Sequence, residues 1–133
     1  MSAGPIADIR DFYACVLSGD LARAEAKLAP DQIVIREAES LPYGGVYHGV
    51  EGYRNLSKKL VAAWKRVRFE DFTFAGSENT VMARFLMTAT SRATGIEVTF
   101  PVVEIFDLVA GKIVAIQPFY WDTHALRKAL GID

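Results

Sequence analysis

Glu104 stands alone among apolar neighbours in the segment running from Thr99 to Leu108. Side chains of a strand alternate between its two faces, so this segment sets Phe100, Val102, Phe106 and Leu108 on one side together with that carboxylate. A lone ionised carboxylate on an apolar face is costly unless it is paired, hydrogen-bonded or protonated, and such a group commonly lines a cavity with a chemical task. Three further residues qualify as partners. Glu37 continues the face begun by Ile33 and Ile35, Asp122 follows the last strand, and Arg84 lies on the preceding strand with Met82 and Leu86. A carboxyl group whose pKa burial lifts toward neutrality can take a proton from carbon beside a carbonyl, while a phenol or guanidinium steadies the negative charge that develops.

Each candidate also has a purely structural use. Glu104 and Arg84 can pair across a hairpin, which keeps the carboxylate ionised and makes it a poorer base. Asp122 has the type and position of an N-cap for a last helix. Glu39 shares the face of Glu37, and one of the two belongs to a solvated rim, Glu37 being the one that reaches inward. Walls for a small apolar ligand are expected from Tyr13, Tyr43, Tyr47, Trp64, Phe100, Val102, Phe119 and Tyr120, where a tyrosine hydroxyl is a ready donor to an oxyanion. His48 and His124 make no metal-ligand spacing with another histidine or cysteine, and phosphate-cradling glycine loops and a nucleophile elbow are missing. No metal, no cofactor and no covalent intermediate are expected.

Elements to position these groups follow from periodicity. Ile6, Ile9, Phe12, Tyr13, Val16 and Leu17 recur at three- and four-residue intervals, a helix with one buried stripe that Ser18-Gly19-Asp20 ends. Asp20 caps a short second helix that Pro30 stops. A first strand follows Asp31, Leu41-Pro42-Tyr43-Gly44-Gly45 breaks regular structure, and a third helix runs from about Val50 to Trp64. Four strands then succeed one another: Arg68 to Ala75, Val81 to Ser91, the strand of Glu104, and Lys112 to about Trp121. Strict alternation over the first of these sets Phe72 and Phe74 on one face. Thr123 to Leu130 reads as a short C-terminal helix. An α+β domain results, a curved antiparallel or mixed sheet wrapped around three helices, with a concave space as ligand cavity.

Composition sets bounds on function. The chain's 133 residues make one domain, and 16 acidic residues nearly balance 15 basic ones, which argues against a nucleic-acid binder. Lys58, Lys59, Lys65, Arg66 and Arg68 read as a solvated helix end. The single Cys15 cannot form an internal disulfide and serves as buried filler. Met1 to Pro5 lack leader character, and no apolar run approaches the ~20 residues that span a bilayer, so a cytoplasmic protein without membrane contact is expected.

Two segments carry a resemblance: Leu41-Pro42-Tyr43-Gly44-Gly45-Val46-Tyr47-His48-Gly49 leading into the third helix, and Gly111-Lys112-Ile113-Val114 followed by Phe119-Tyr120-Trp121-Asp122-Thr123. With them the whole chain, 1–133, resembles the nuclear transport factor 2-like superfamily, most closely its SnoaL-like branch. That family includes ketosteroid isomerases, limonene epoxide hydrolases and polyketide cyclases. The resemblance implies a cone-shaped fold, an apolar pocket with one or two acid/base groups, and a homodimer formed through the sheet. Counted from Asp20, Gly49 and Gly111, the isomerase tyrosine, base and second acid fall on Phe12, Ser40 and Val103, none of which can serve. The late-strand histidine of the cyclases falls on Glu104, and their following aspartate on Asp122, which also matches the terminal aspartate of the epoxide hydrolases. The expected function is therefore cofactor-independent isomerisation, cyclisation or water addition on a small carbonyl or epoxide compound. A noncatalytic domain that binds an apolar ligand or dimerises is the alternative.

Overall fold

A computed structural model describes residues 3–132, leaving Met1, Ser2 and Asp133, and with them part of the leader reading, outside the described residues. The order of elements is α1 (Pro5–Ser18), α2 (Leu21–Ala26), β1 (Val34–Glu37), β2 (Gly45–His48), α3 (Gly49–Ala63), β3 (Trp64–Gly76), β4 (Thr80–Ser91), β5 (Glu97–Val109), β6 (Lys112–Tyr120) and α4 (Thr123–Ala129). Pro5 opens α1, where its missing N–H costs nothing, and Gly19 closes it at φ 81, a left-handed conformation that glycine adopts freely. Asp20 caps α2 by accepting from the Arg23 amide, and Asp122 caps α4 by accepting from Ala125.

One six-stranded sheet, ordered β2-β1-β6-β5-β4-β3, carries the site. Strands β3 to β6 form an antiparallel meander, and β1 joins it in parallel to β6 through Val34 with Ala115 and Ile35 with Ile116. Strand β2 was not foreseen. Its four residues pair with β1 between the Leu41–Gly45 break and the third helix, too short for alternation to declare itself. Strand β1 ends at Glu37 rather than running on to Glu39. Gly44 folds its backbone against Ala38 and Glu39 there, so closely that a Cβ would meet the Ala38 carbonyl oxygen at 2.3 Å.

Two bulges in β3 curve the sheet. Between Lys65 and Arg68, and again between Glu70 and Thr73, β3 advances three residues while β4 advances two, and Arg66 and Asp71 take left-handed φ values of 53° and 59°. Each extra residue reverses the facing of those beyond it. Trp64, Phe69, Phe72 and Phe74, which simple alternation would split between faces, all turn inward as a result. They meet Ile9, Phe12 and Tyr13 of α1, Leu56 of α3, and Phe85, Phe100, Val102 and Phe106 of the sheet in one core that also buries Cys15. Among the described residues no helix is long and apolar enough to cross a membrane.

Candidate functional site

The face of β5 is arranged as its alternation requires. Phe100, Val102, Phe106 and Leu108 are buried, and Glu104 is on their side of the sheet, across from Ala83 of β4 and Pro118 of β6. Val102 and Phe106 are 2% and 0% exposed, yet Glu104 between them keeps part of its surface. Its Oε1 accepts a hydrogen bond of 2.5 Å from the Tyr13 hydroxyl, delivered from α1. Burial pushes the Glu104 carboxyl up to about 7, against a smaller lowering from the Tyr13 bond. Burial in turn lifts the Tyr13 phenol far above its ordinary range, with the Glu104 charge adding to it, so Tyr13 stays a donor.

A second acid–phenol pair lies deeper along β1 and β6. Glu37, 8% exposed, accepts from the Tyr120 hydroxyl at 2.7 Å. Its carboxyl is raised to about 8, chiefly by burial, with a lowering from Tyr120 and a further increment from the charge of Glu104. Tyr120 is itself raised by burial and by the charge of Glu37. Beside it stands Tyr43, whose hydroxyl accepts from the Trp64 indole N–H at 3.2 Å and whose pKa burial raises to about 12. Two carboxyl groups that sense one another thus sit in one aromatic interior, each held by a tyrosine.

Other expected members fall elsewhere. Arg84 is exposed and lies across from Val103, not Glu104, because Glu104 takes the Ala83 position in the β4–β5 register; its guanidinium reaches Thr73 on the outer face. The ion pair that would have held Glu104 ionised does not form. Asp122 is exposed and spends its carboxylate on the helix cap. Phe119 is 50% exposed because it neighbours Tyr120 and so faces outward. Tyr47 is buried, but its hydroxyl donates to the Tyr43 carbonyl oxygen at 2.8 Å and accepts from Lys59, which orders the β1–β2 turn instead of serving the interior. Glu104, Glu37, Tyr13, Tyr43, Tyr120, Trp64, Phe100 and Val102 are the members brought together.

Tyr53 was missed as a site residue: its ring stands 6.5 Å from that of Phe12, and the Glu104 charge adds to the rise that burial gives its phenol. Its helical spacing with Leu56 and Leu60 was the available signal. Of the isomerase-type positions counted from the anchors, Phe12 is buried, whereas Ser40 and Val103 are exposed. A helix tyrosine, an early acid and a late-strand acid do occupy the interior, as Tyr13, Glu37 and Glu104. Among the described residues no three His, Cys, Asp or Glu side chains stand together as a metal site.

Between β1 and β6 the sheet parts. Pairing stops after Ile35 and Ile116, and Pro118 beyond has no N–H to offer a ladder. A cleft of about 450 Å³ opens there, with Glu37, Pro118 and Tyr120 among its lining and Arg36, Val46 and Phe119 at its exposed side.

A curved sheet closing over helices, with acids inside, defines an α+β cone of the nuclear transport factor 2-like type. The SnoaL-like domain model matches residues 9–116, and the chain belongs to that family. A nuclear transport factor 2-like protein of Burkholderia thailandensis is 27% identical and superposes with a TM-score of 0.87, covering 97% of this chain and 98% of that one. A candidate SnoaL-like polyketide cyclase of Mesorhizobium loti is 28% identical, with a TM-score of 0.64 and 85% and 96% coverage. TerC, crystallised with polyporic acid, is 18% identical at a TM-score of 0.85, covering 96% and 98%, a likeness of fold. No curated protein matches the chain.

Proposed function

We propose that this protein is a cofactor-independent enzyme that moves a proton on a small apolar carbonyl compound, in an isomerisation or aldol-type cyclisation. One observation carries the reading: two carboxyl groups, Glu104 and Glu37, lie in a single apolar interior, each on a tyrosine hydroxyl. Like charges so placed disfavour double ionisation, so near neutral pH the pair holds one proton and one charge between them. Glu104, raised to about 7, supplies the base, since a base is most effective when its pKa lies near working pH. Glu37, raised to about 8, keeps its proton and donates it as a hydrogen bond to the substrate oxygen as charge builds there. Tyr13 and Tyr120 orient the two acids.

The test is hydrogen–deuterium exchange at the α-carbon of flat ketones such as 2-tetralone, followed by NMR in heavy water. Wild-type protein is expected to accelerate exchange, and Glu104→Gln to reduce the acceleration by ~100-fold or more, the usual scale of a lost general base. Exchange unaffected by Glu104→Gln contradicts the reading. The noncatalytic alternative draws on one observation, the packing of Phe69, Phe72, Phe74, Phe85 and Phe106 rings around Tyr13. It predicts ketone binding with no exchange at all.

A further inference from the structure

The gap between β1 and β6 joins features that the interior alone does not explain. Adjacent residues of a strand face opposite ways, yet Arg36 and Glu37 both line this cleft, as do Phe119 and Tyr120, because the parting of the strands opens the sheet from its outer face inward. Its volume of about 450 Å³ lies within the roughly 300 to 1,000 Å³ that small-molecule sites span. Val46, Pro118 and Phe119 supply apolar wall, and Gln117, Thr123 and Glu39 supply polar groups beside it. At the deep end Glu37 and Tyr120 offer a carboxyl and a phenol already bonded to each other.

Arg36 is the basic residue that lines this cleft. Arg23, Arg54, Arg68, Arg84 and Arg92 spend their guanidinium groups on protein oxygens, of Asp11, Glu25 and Glu51, Glu70, Thr73 and the Val61 carbonyl, while Arg66, like Arg36, has no such partner among the described residues but lies outside the cleft. No described side chain pairs with Arg36, although Glu39 lines the same cleft three residues along. Glu39 lies past the end of β1 and is exposed, whereas Arg36 is fixed within the β1–β2 ladder opposite Val46. A guanidinium on a strand, beside the apolar surface of Val46 and Phe119, suits the planar oxygens of a carboxylate or acidic enol.

We infer that this cleft is the substrate seat and that Arg36 selects an anion: a flat apolar carbonyl compound whose acidic group rests on the guanidinium while its carbonyl oxygen reaches the Glu37–Tyr120 pair. The reaction in this statement rests on the proposed acid–base function; the seat rests on the cleft and its unpaired arginine. The probes are 2-naphthoate and its uncharged counterpart 2-acetylnaphthalene, titrated into the full chain and followed by amide and arginine Nε resonances. Naphthoate is expected to shift Arg36, Gly45, Gln117 and Phe119 and to bind at least tenfold more tightly than the ketone. Arg36→Gln should erase that preference, Glu39→Gln should strengthen it, and Arg84→Gln, on the outer face two strands away, should leave it unchanged. Equal affinities, an unaltered preference in Arg36→Gln, or shifts confined to Tyr53, Phe69 and Phe72 would overturn the seat. Naphthoate seated in the cleft of a protein that exchanges no ketone hydrogen sinks the acid–base function and leaves the seat standing. Ketone exchange that persists alongside naphthoate shifts confined to Tyr53, Phe69 and Phe72 does the reverse.

Discussion

A single residue separates a buried acid from a surface one in this chain. Glu104 faces inward and Val103 outward, and the same parity turns Arg84 away from the carboxyl with which it could have paired. Without a cation, burial decides the state of both acids, and the sign of its effect on stability follows. The folded pKa values, about 7 and about 8, lie above the ordinary 4.5, so the stability tied to these protons is complete below pH 4.5 and is lost as pH rises through 7 and 8. Urea unfolding should show the protein less stable at pH 8.5 than at pH 5, by on the order of 3 kcal/mol per acid. Glu37→Gln should flatten that slope by removing one of the two titrations. Asp122→Ala, by contrast, should cost ~1 kcal/mol of stability as a lost helix cap and leave ketone exchange untouched.

Elements show how far periodic reasoning reaches and where it stops. The helices α1 and α3, strands β4 to β6 and both aspartate caps were legible because each is long enough, or chemically marked enough, for its pattern to stand out, whereas the start of β3, from Trp64 to Val67, was read as the end of the preceding helix and its linker. Strand β2 was not, since four residues after a glycine pair carry no readable period. Simple alternation also fails across β3, where Arg66 and Asp71 insert one residue each and bring Trp64, Phe69, Phe72 and Phe74 to a common face. Those insertions need neither glycine nor proline, so the sequence gives no local warning of them. The candidate acids were visible as types out of place; which of them meet depended on register, which only three-dimensional pairing reveals. The Asp71 bulge is itself testable. Asp71→Gly should stabilise the fold and Asp71→Val destabilise it by ~1 to 2 kcal/mol, because a β-branched residue resists the left-handed backbone conformation held there.

For the molecule as a whole, the sheet has two faces with different tasks. The concave face holds both acids, while the outer face exposes Met82 at 46% and Val103 at 36% on neighbouring strands, with Ile105 and Leu86 partly covered beside them. We propose that a second copy covers this part of β4 and β5, leaving the β1–β6 cleft open. Light scattering should then give twice the chain mass, and Met82→Lys should shift it toward the monomer; a wild-type monomer contradicts the proposal. Function, on this account, depends on the chain's enclosing two acids in an apolar interior with phenols as their hydrogen-bond donors. The most direct measurement is a carboxyl-carbon NMR titration of Glu104 in the wild-type protein, assigned by Glu104→Gln. A midpoint near 7 is the predicted result, and a midpoint at or below the ordinary 4.5 would contradict it.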